Sequence, residues 1–337
     1  MYKDITMPQP RKSLVSLDTT PYYHCTSRCV RRAFLCGIDV STGKSYEYRR
    51  AWLEEHILAI GQIFAVEICS YVVMSNHYHV VLKIDRTLAQ NWSDHEVIQR
   101  WTQLFTGSPL LQSYQQDPSS LTIIQRDVLS QQIDVYRQRL YDLSWFMRCL
   151  NEPIARQANI EDDCRGHFWE SRFKSQALLD EAALISAMAY VDLNPVRANM
   201  AETPEQSDYT SIQTRLQDAK KATLLKPFIG TGTGTGTGTK NLIDPDPIPC
   251  DFNHYLQLLD WTGRAILPKK KGFIAEDAPP ILARLNINAT QWIKQHHQLE
   301  SHYPHFMGHW QNIQKACHQL KRHWAKGKHH SQLLFSG

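Results

Sequence analysis

The chain has 337 residues, of which 42% are hydrophobic, and a formal net charge of +4 at pH 7. This length supports one large domain or two smaller ones. No apolar run is long enough to span a membrane and the N-terminus lacks the apolar core of a signal peptide, so we expect a soluble, cytoplasmic protein. The eight cysteines include no Cys-x-x-Cys pair, which favours reduced, mostly buried thiols over a disulfide framework or zinc ribbon.

The first part of the chain predicts the order strand, helix, strand, strand. These elements are predicted at residues 22–27, 46–63, 66–74 and 77–84, the last two forming a hairpin. A basic cluster of Arg28, Arg31 and Arg32 follows the first strand. Arginines placed there are candidate contacts to phosphate groups.

The second strand of the hairpin contains two histidines, His77 and His79, at the start of an apolar, β-branched run. Side chains alternate between the two faces of a strand, so both imidazoles should face one side and Tyr78 the other. Two imidazoles on one face can hold a divalent metal. The alternative is a pair of half-exposed strand histidines with no metal. With 16 histidines in the sequence, a His-x-His pair can also arise by chance.

Between residues 85 and 166 the sequence becomes helical and polar, and helices are predicted at 94–105 and 131–158. The alternating segment 169–178, WESRFKSQAL, predicts a further strand. In that segment Arg172 and Lys174 are candidate phosphate contacts. Trp169 is a candidate platform for base stacking, with core packing as the alternative role of its ring.

Asp180 predicts the N-cap of a helix that carries Tyr190. Small residues on the same stripe would let Tyr190 approach a sheet closely. Asn194 lies one turn further on, so its carbonyl oxygen is a candidate third ligand, beside His77 and His79, for a hard cation. Pro195 should kink or end the helix at this point. The alternative for Tyr190 is an ordinary half-buried helix tyrosine.

Five Gly-Thr repeats occupy residues 230–239 and predict a flexible connector. We therefore predict a first domain, a linker and a helical basic domain at 1–222, 223–248 and 249–337, with a helical insertion at about 85–166. No acidic residue occurs after Glu300, and the basic residues there include Lys321 and Arg322. Such a surface is typical of nucleic-acid binding, and a solvated basic tail is the alternative.

Three separated motifs, MSNHYHVVL, GHFWESRFKSQALL and AYVDLNPVRANM, together resemble the REP-associated tyrosine transposases, a branch of the HUH single-strand nucleases. The resemblance covers about residues 21–200. It implies an α+β fold with a ferredoxin-like antiparallel sheet and helices. It also implies that His77 and His79 form the HUH motif, that Tyr190 is the nucleophile and that Asn194 is the third metal ligand. The helical insertion and the region beyond the Gly-Thr repeats depart from the shorter members.

The same resemblance implies a metal-dependent endonuclease and strand transferase, a transposase acting on single-stranded or hairpin DNA with Mg²⁺ or Mn²⁺. Attack by the tyrosine would leave a 5′-phosphotyrosine link and a free 3′-hydroxyl. The corresponding expectations are a bacterial, nucleoid-associated location and either a monomer or a homodimer. Two alternatives stay open: a non-catalytic hairpin-DNA binding protein or repressor on the same fold, and a metal phosphohydrolase acting on small substrates.

Overall fold

The structure is a computed structural model that describes residues 14–30, 35–38, 43–230, 246–266 and 278–336. Its strands are β1 (Tyr22–Arg28), β2 (Val66–Val73), β3 (His77–Ile84), β4 (Lys174–Leu178), β5 (Phe228–Ile229), β6 (Ile248–Asp251) and β7 (Phe306–Met307). Five of them form one sheet in the order β2-β3-β1-β4-β7, in which β1 to β4 pair antiparallel and β7 pairs parallel with β4. A small separate sheet contains β5 and β6.

Helices fill the connections between these strands. Those up to the end of the insertion are α1 (Tyr48–Ile63), α2 (Arg86–Asn91), α3 (Asp94–Thr102), α4 (Pro109–Gln116), α5 (Ile123–Leu140) and α6 (Leu143–Glu161). The next are α7 (Glu181–Asp192), α8 (Asn194–Arg197), α9 (Ser211–Gln217), α10 (Ala219–Ala222) and α11 (Phe252–Ile266). The last are α12 (Pro280–Arg284), α13 (Ala289–His296), α14 (Leu299–His302), α15 (Trp310–Gln319) and α16 (Lys328–Leu334).

The order of β1 to β4 in the sheet is that of a ferredoxin-like fold. In chain order these elements are strand, helix, strand, strand, a helical segment and strand, and β3 lies between β2 and β1. The α+β prediction with an antiparallel sheet and a helical insertion is therefore confirmed. The first strand, the hairpin and α1 also lie within two residues of their predicted bounds.

Each face of the sheet packs against its own set of helices. One face contributes Tyr23 and Tyr78 to a core that includes Leu53 of α1 and Phe146 of α6. The opposite face contributes Val72 and Val81 to a second core, built mainly with α7 and α11. Burying a large apolar side chain contributes about 1.5–3 kcal/mol, so both cores stabilise the sheet substantially.

The predicted helix at 131–158 was wrong in its bounds, because the chain forms two helices there. α5 ends at Leu140 and α6 begins at Leu143. The break is fixed by Asp142, whose side chain accepts a hydrogen bond from the backbone N–H of Trp145 at 2.9 Å. An aspartate at this position caps a new helix more favourably than it continues the old one.

The predicted strand at 169–178 is also shorter than expected. Only Lys174–Leu178 pairs as a strand, while Trp169 makes an isolated bridge to Cys29. The Trp169 indole donates a hydrogen bond to the Asn151 carbonyl at 2.9 Å. Its ring packs edge-on against the Tyr78 ring, with the two centroids 5.7 Å apart. At this end of the segment, the contact with α6 takes the place of the regular backbone hydrogen bonds between strands.

The helix α7 begins and ends where the sequence predicts. The Asp180 carboxylate accepts a hydrogen bond from the Ala183 N–H at 2.9 Å, as an N-cap does. The helix ends at Asp192, and the short helix α8 begins at Asn194 with Pro195 in its first turn. The expected interruption before Pro195 is therefore confirmed.

The part of the chain after the Gly-Thr repeats packs on the same sheet. Its strand β7 extends the sheet beside β4, and Trp292 of α13 belongs to the core that contains α7. No helix in the described ranges has the length and apolar character needed to cross a membrane. The division at 223–248 stays a prediction, and most of that linker lies outside the described residues.

Candidate functional site

The two histidines of the hairpin share one face of β3. The His77 and His79 rings lie 4.9 Å apart, centroid to centroid. Tyr78 lies on the other face, where its hydroxyl donates a hydrogen bond to the Asn151 side chain at 2.7 Å. The alternation predicted for this motif is confirmed. His79 is almost completely buried, with 1% of its surface exposed, and His77 is partly exposed.

His79 takes part in a polar cluster that joins three parts of the chain. Its Nδ1 lies 3.0 Å from His24 Nε2, 3.0 Å from Thr26 Oγ1 and 3.2 Å from Glu300 Oε1. Thr26 donates a hydrogen bond to the same Glu300 oxygen at 2.7 Å. One possible ligand atom from each of His24, His79 and Glu300 lies within 4.8 Å of the others, so these residues can hold a metal ion.

The other ring nitrogen of His79 has no hydrogen-bond partner among the described residues. His79 Nε2 is buried and has no hydrogen bond within the described part of the chain. A buried polar nitrogen without a partner costs about 1–3 kcal/mol, and such atoms commonly mark a functional position. This nitrogen is therefore a candidate ligand atom in its own right.

Burial sets the protonation of the neighbouring imidazoles. It lowers the pKa of His24 to about 4 and the pKa of His77 to about 3, with His79 adding to both shifts. Both rings are thus neutral at physiological pH, which is the form that binds metals. Burial acts to raise the pKa of Glu300, but the contact with His79 holds it well below its ordinary value, so Glu300 is a carboxylate.

Tyr190 faces this cluster from α7. Its ring centroid lies 5.8 Å from the His79 ring and 6.0 Å from the His24 ring. The His296 ring lies 6.0 Å away on another side. Burial raises the pKa of Tyr190, an effect that the nearby Arg197 charge opposes. The hydroxyl is therefore protonated at neutral pH.

A hydrogen-bond network fixes the end of α7 just beyond Tyr190. The buried Asp192 carboxylate accepts from the Ser211 hydroxyl at 2.5 Å, the Ile212 N–H at 3.2 Å and the Tyr255 hydroxyl at 2.6 Å. These partners lie on α9 and α11. Because several elements hold this carboxylate, the helix that carries Tyr190 has a fixed position relative to the sheet.

Asn194 begins α8, one turn after Tyr190, and is 7% exposed. It is thus buried at the end of the helix that faces the two histidines. Its role as third ligand stays a prediction.

A basic cleft of about 600 Å³ opens beside the histidine cluster. Its lining includes His24, Glu300, Arg172, Lys174 and His305. Arg172 and Lys174 are both exposed, and Lys174 pairs with Thr26 across the sheet.

Arg28 lies at the other side of this cluster. It is exposed and directly opposite His77 in the strand ladder, so its side chain shares the histidine face. Arg28, like the basic cleft, therefore lies beside the candidate site.

The remaining predicted DNA contacts lie farther from the histidines or outside the described residues. Trp169 packs on the opposite face, against Tyr78. Lys321 is exposed beyond α15, and the Arg322 guanidinium lies 5.2 Å from the ring of Phe306. Arg31 and Arg32 fall outside the described residues.

Four residues at this site were not predicted from the sequence: His24, Glu300, His296 and Arg197. His24 could have been found from the sequence, because it lies on the first predicted strand and shares a face of that strand with Thr26. In the structure this strand pairs with the strand of His77 and His79. Arg197 follows the tyrosine within the motif NPVRANM. Glu300 and His296 reach the site only through tertiary folding, and no local pattern marks them.

No protein family model matches this sequence, and no curated protein matches it. Among solved structures, the chain is similar to a REP-associated tyrosine transposase bound to a REP hairpin, with a TM-score of 0.36 and 13% sequence identity. The similarity covers 63% of this chain and 87% of that one. At this level of similarity, the chemistry has to be inferred from the side chains of the site itself.

Proposed function

We propose that this protein is a metal-dependent endonuclease and strand transferase that acts on single-stranded or hairpin DNA through Tyr190. The observation that carries the proposal is the position of the Tyr190 ring, 5.8 Å from the ring of His79 in a cluster of possible metal ligands. A phenol beside a cation site is the arrangement that nucleophilic attack on a phosphodiester needs.

In the proposed cleavage step, the Tyr190 hydroxyl oxygen forms a bond to phosphorus while the bond from phosphorus to the 3′-oxygen breaks. The phenolic proton passes to water, and the departing 3′-oxygen takes up a proton. The DNA stays attached to the protein through a 5′-phosphotyrosine. Because this bond conserves the energy of the phosphodiester, attack by a 3′-hydroxyl in the reverse direction rejoins a strand without ATP.

His79 belongs to both candidate metal sites, the predicted set with His77 and Asn194 and the cluster with His24 and Glu300. Its Nδ1 is engaged while its buried Nε2 has no partner in the described residues. Metal-ligating histidines usually donate their second ring N–H to a carboxylate or similar acceptor.

This pattern favours the predicted set, with Nε2 of His79 as the ligand atom and Glu300 as the hydrogen-bond partner that orients the ring. A divalent cation bound there would offset the negative charge that grows on the nonbridging phosphate oxygens. Mg²⁺ gives up its waters reluctantly and is usually bound through carboxylate and phosphate oxygens, so we expect Mn²⁺ to bind this histidine-containing site more tightly.

The DNA would enter along the basic cleft. Arg172 and Lys174 line the cleft and Arg28 lies beside His77, so phosphates on both sides of the scissile bond have cationic partners. Such contacts position a strand and predict binding that weakens strongly as salt rises.

The proposal is tested with a labelled DNA hairpin that carries a single-stranded flank, incubated with Mg²⁺ or Mn²⁺ and resolved on a denaturing gel. The wild-type protein should form a covalent adduct that EDTA prevents. Tyr190→Phe should form none, while Tyr48→Phe, which changes a tyrosine 42% exposed on α1, should react normally. An undiminished adduct in Tyr190→Phe would assign the chemistry to another residue. Tight, EDTA-insensitive hairpin binding without an adduct would instead support the non-catalytic DNA-binding alternative.

A further inference from the structure

Arg197 lies over the face of the proposed nucleophile. Its guanidinium carbon is 3.6 Å from the centroid of the Tyr190 ring. The two residues are seven positions apart, about two helical turns, and helical side chains lean toward the N-terminus. Although α7 ends between them, the helical hydrogen bonds from the Leu193 N–H to the Ala189 carbonyl and from the Arg197 N–H to the Leu193 carbonyl span the break, and the Arg197 side chain lies over the tyrosine ring.

Two hydrogen bonds hold the guanidinium in this position. Nη1 donates to the His296 carbonyl at 3.0 Å, and Nη2 donates to the carbonyl of Tyr190 itself at 3.1 Å. One anchor therefore belongs to the tyrosine residue and the other to α13.

The partners of Arg197 differ from those of Arg49. Arg49 bonds to the carboxylates of Glu161 at 2.8 Å and Asp162 at 2.7 Å. Among the residues that the structure describes, Arg197 has no carboxylate within ion-pair distance. The charge of Glu300 acts on Arg197 from beyond that distance, so the two carbonyls and the Tyr190 ring hold the guanidinium in place.

Arg215 provides an internal comparison. It too bonds to two backbone carbonyls, those of Cys69 and Lys226, each at 2.9 Å, and its guanidinium lies 4.8 Å from the ring of Phe228. Phe228 has no reactive group, so that clamp contributes to packing alone. Arg197 has equivalent contacts, but its guanidinium stacks on the phenol ring of Tyr190, which faces the candidate metal ligands.

We propose that Arg197 is a positioning residue that holds the Tyr190 ring in the orientation required for in-line attack, an inference that rests on the proposed function. The guanidinium stacks on one face of the ring and is itself fixed by the two carbonyls. The attraction between a cation and an aromatic face also grows as negative charge spreads from the oxygen into the ring during attack. The contact is therefore stronger in the transition state than in the resting enzyme, which is the condition for an effect on rate.

The test combines kinetics with a probe of the tyrosine ring. Full-length Arg197→Gln and Arg197→Lys are compared with wild type and with Arg264→Gln, which removes an exposed arginine on α11. We expect Arg197→Gln to lower kcat for adduct formation by about 10-fold to 100-fold, because the tyrosine ring is no longer held in the reactive orientation. KM for the hairpin should change little. Arg197→Lys should recover part of this loss, and Arg264→Gln should behave as wild type.

The ring is followed directly by ¹⁹F NMR of 3-fluorotyrosine placed at position 190. In Arg197→Gln the resonance should move toward that of the free amino acid, while Arg197→Lys should stay closer to wild type. An unchanged resonance together with an unchanged kcat would overturn the proposal. If wild type forms no adduct with any metal, the proposed function fails, and an unchanged ¹⁹F resonance would then refute the positioning role as well.

Discussion

The two faces of the central sheet differ sharply, although the same strands form both. On one face, Tyr23 and Tyr78 pack with α1 and α6 in an apolar core. On the other, His24, Thr26 and His79 form a buried polar cluster next to the core that contains α7. Because successive residues of a strand alternate, a change at position 78 should affect stability and a change at position 79 should affect chemistry.

The largest expected effect is that of His79→Gln. Loss of the imidazole removes the residue shared by both candidate metal sites, so we expect cleavage to fall by about 1,000-fold, the scale of removing a key electrostatic contact to the transition state. The free energy of unfolding should fall by only about 1–3 kcal/mol, because the Nδ1 contacts are lost while Nε2 has no partner in the described structure. Adduct formation and urea unfolding measure the two quantities. A large loss of stability with normal cleavage would reverse the assignment of the faces.

Glu300→Gln should have a smaller effect on the same face. If Glu300 orients the His79 ring, its loss should weaken Mn²⁺ binding by about 10-fold, as for other hydrogen-bond partners of metal ligands. Isothermal titration calorimetry of Mn²⁺ measures this without DNA, and Glu181→Gln, at the start of α7, is the matched control. Complete loss of binding would indicate that Glu300 is itself a ligand, and unchanged affinity would remove it from the site.

Tyr78→Phe tests the opposite face with the adjacent residue. It removes the hydrogen bond to Asn151, so unfolding should become easier by about 1 kcal/mol, the usual net value of one such bond. Adduct formation should stay at the wild-type rate under conditions where the variant is folded. A cleavage defect as large as that of His79→Gln would show that the two faces are not independent.

The pH dependence of stability tests the histidine face through protonation alone, and its sign follows from the lowered histidine pKa values. In the unfolded chain His77 titrates near its ordinary pKa of 6.5, whereas in the folded protein its pKa is about 3. The unfolded state therefore binds more protons as pH falls below about 6.5, and stability decreases in that direction. Urea unfolding at pH 7 and pH 5 should show a steeper loss in wild type than in His77→Asn. Equal losses would contradict the buried, neutral state of His77.

Most of the sheet could be predicted because its signals are local. The β-branched run around His77 and His79 fixes β3, and the Asp180 N-cap fixes the start of α7. The predicted strand around Trp169 was too long because a tertiary contact to Asn151 overrides the alternating pattern. Hydrophobic periodicity alone predicts one helix around Asp142. The Asp142 side chain caps a new helix there, so the chain forms α5 and α6 instead.

The candidate site could be predicted only in part, because some of its residues lie in local motifs and others reach it only through tertiary folding. His77, His79, Tyr190 and Asn194 lie in two compact motifs, and the hairpin histidines and Tyr190 do face one region of the structure. Glu300 is separated from His79 by more than 200 residues, and nothing in the sequence around it suggests a contact with a strand histidine. Its position depends on how the C-terminal part packs against the sheet.

The proposed function requires that Tyr190 becomes covalently attached to DNA. The most direct measurement is mass spectrometry of the adduct after nuclease and trypsin digestion. Trypsin releases Tyr190 in a peptide of residues 175–197, since no lysine or arginine lies between Lys174 and Arg197. We expect this peptide to carry a nucleotide phosphate on Tyr190. A nucleotide on any other tyrosine, or an adduct that does not require metal, would contradict it.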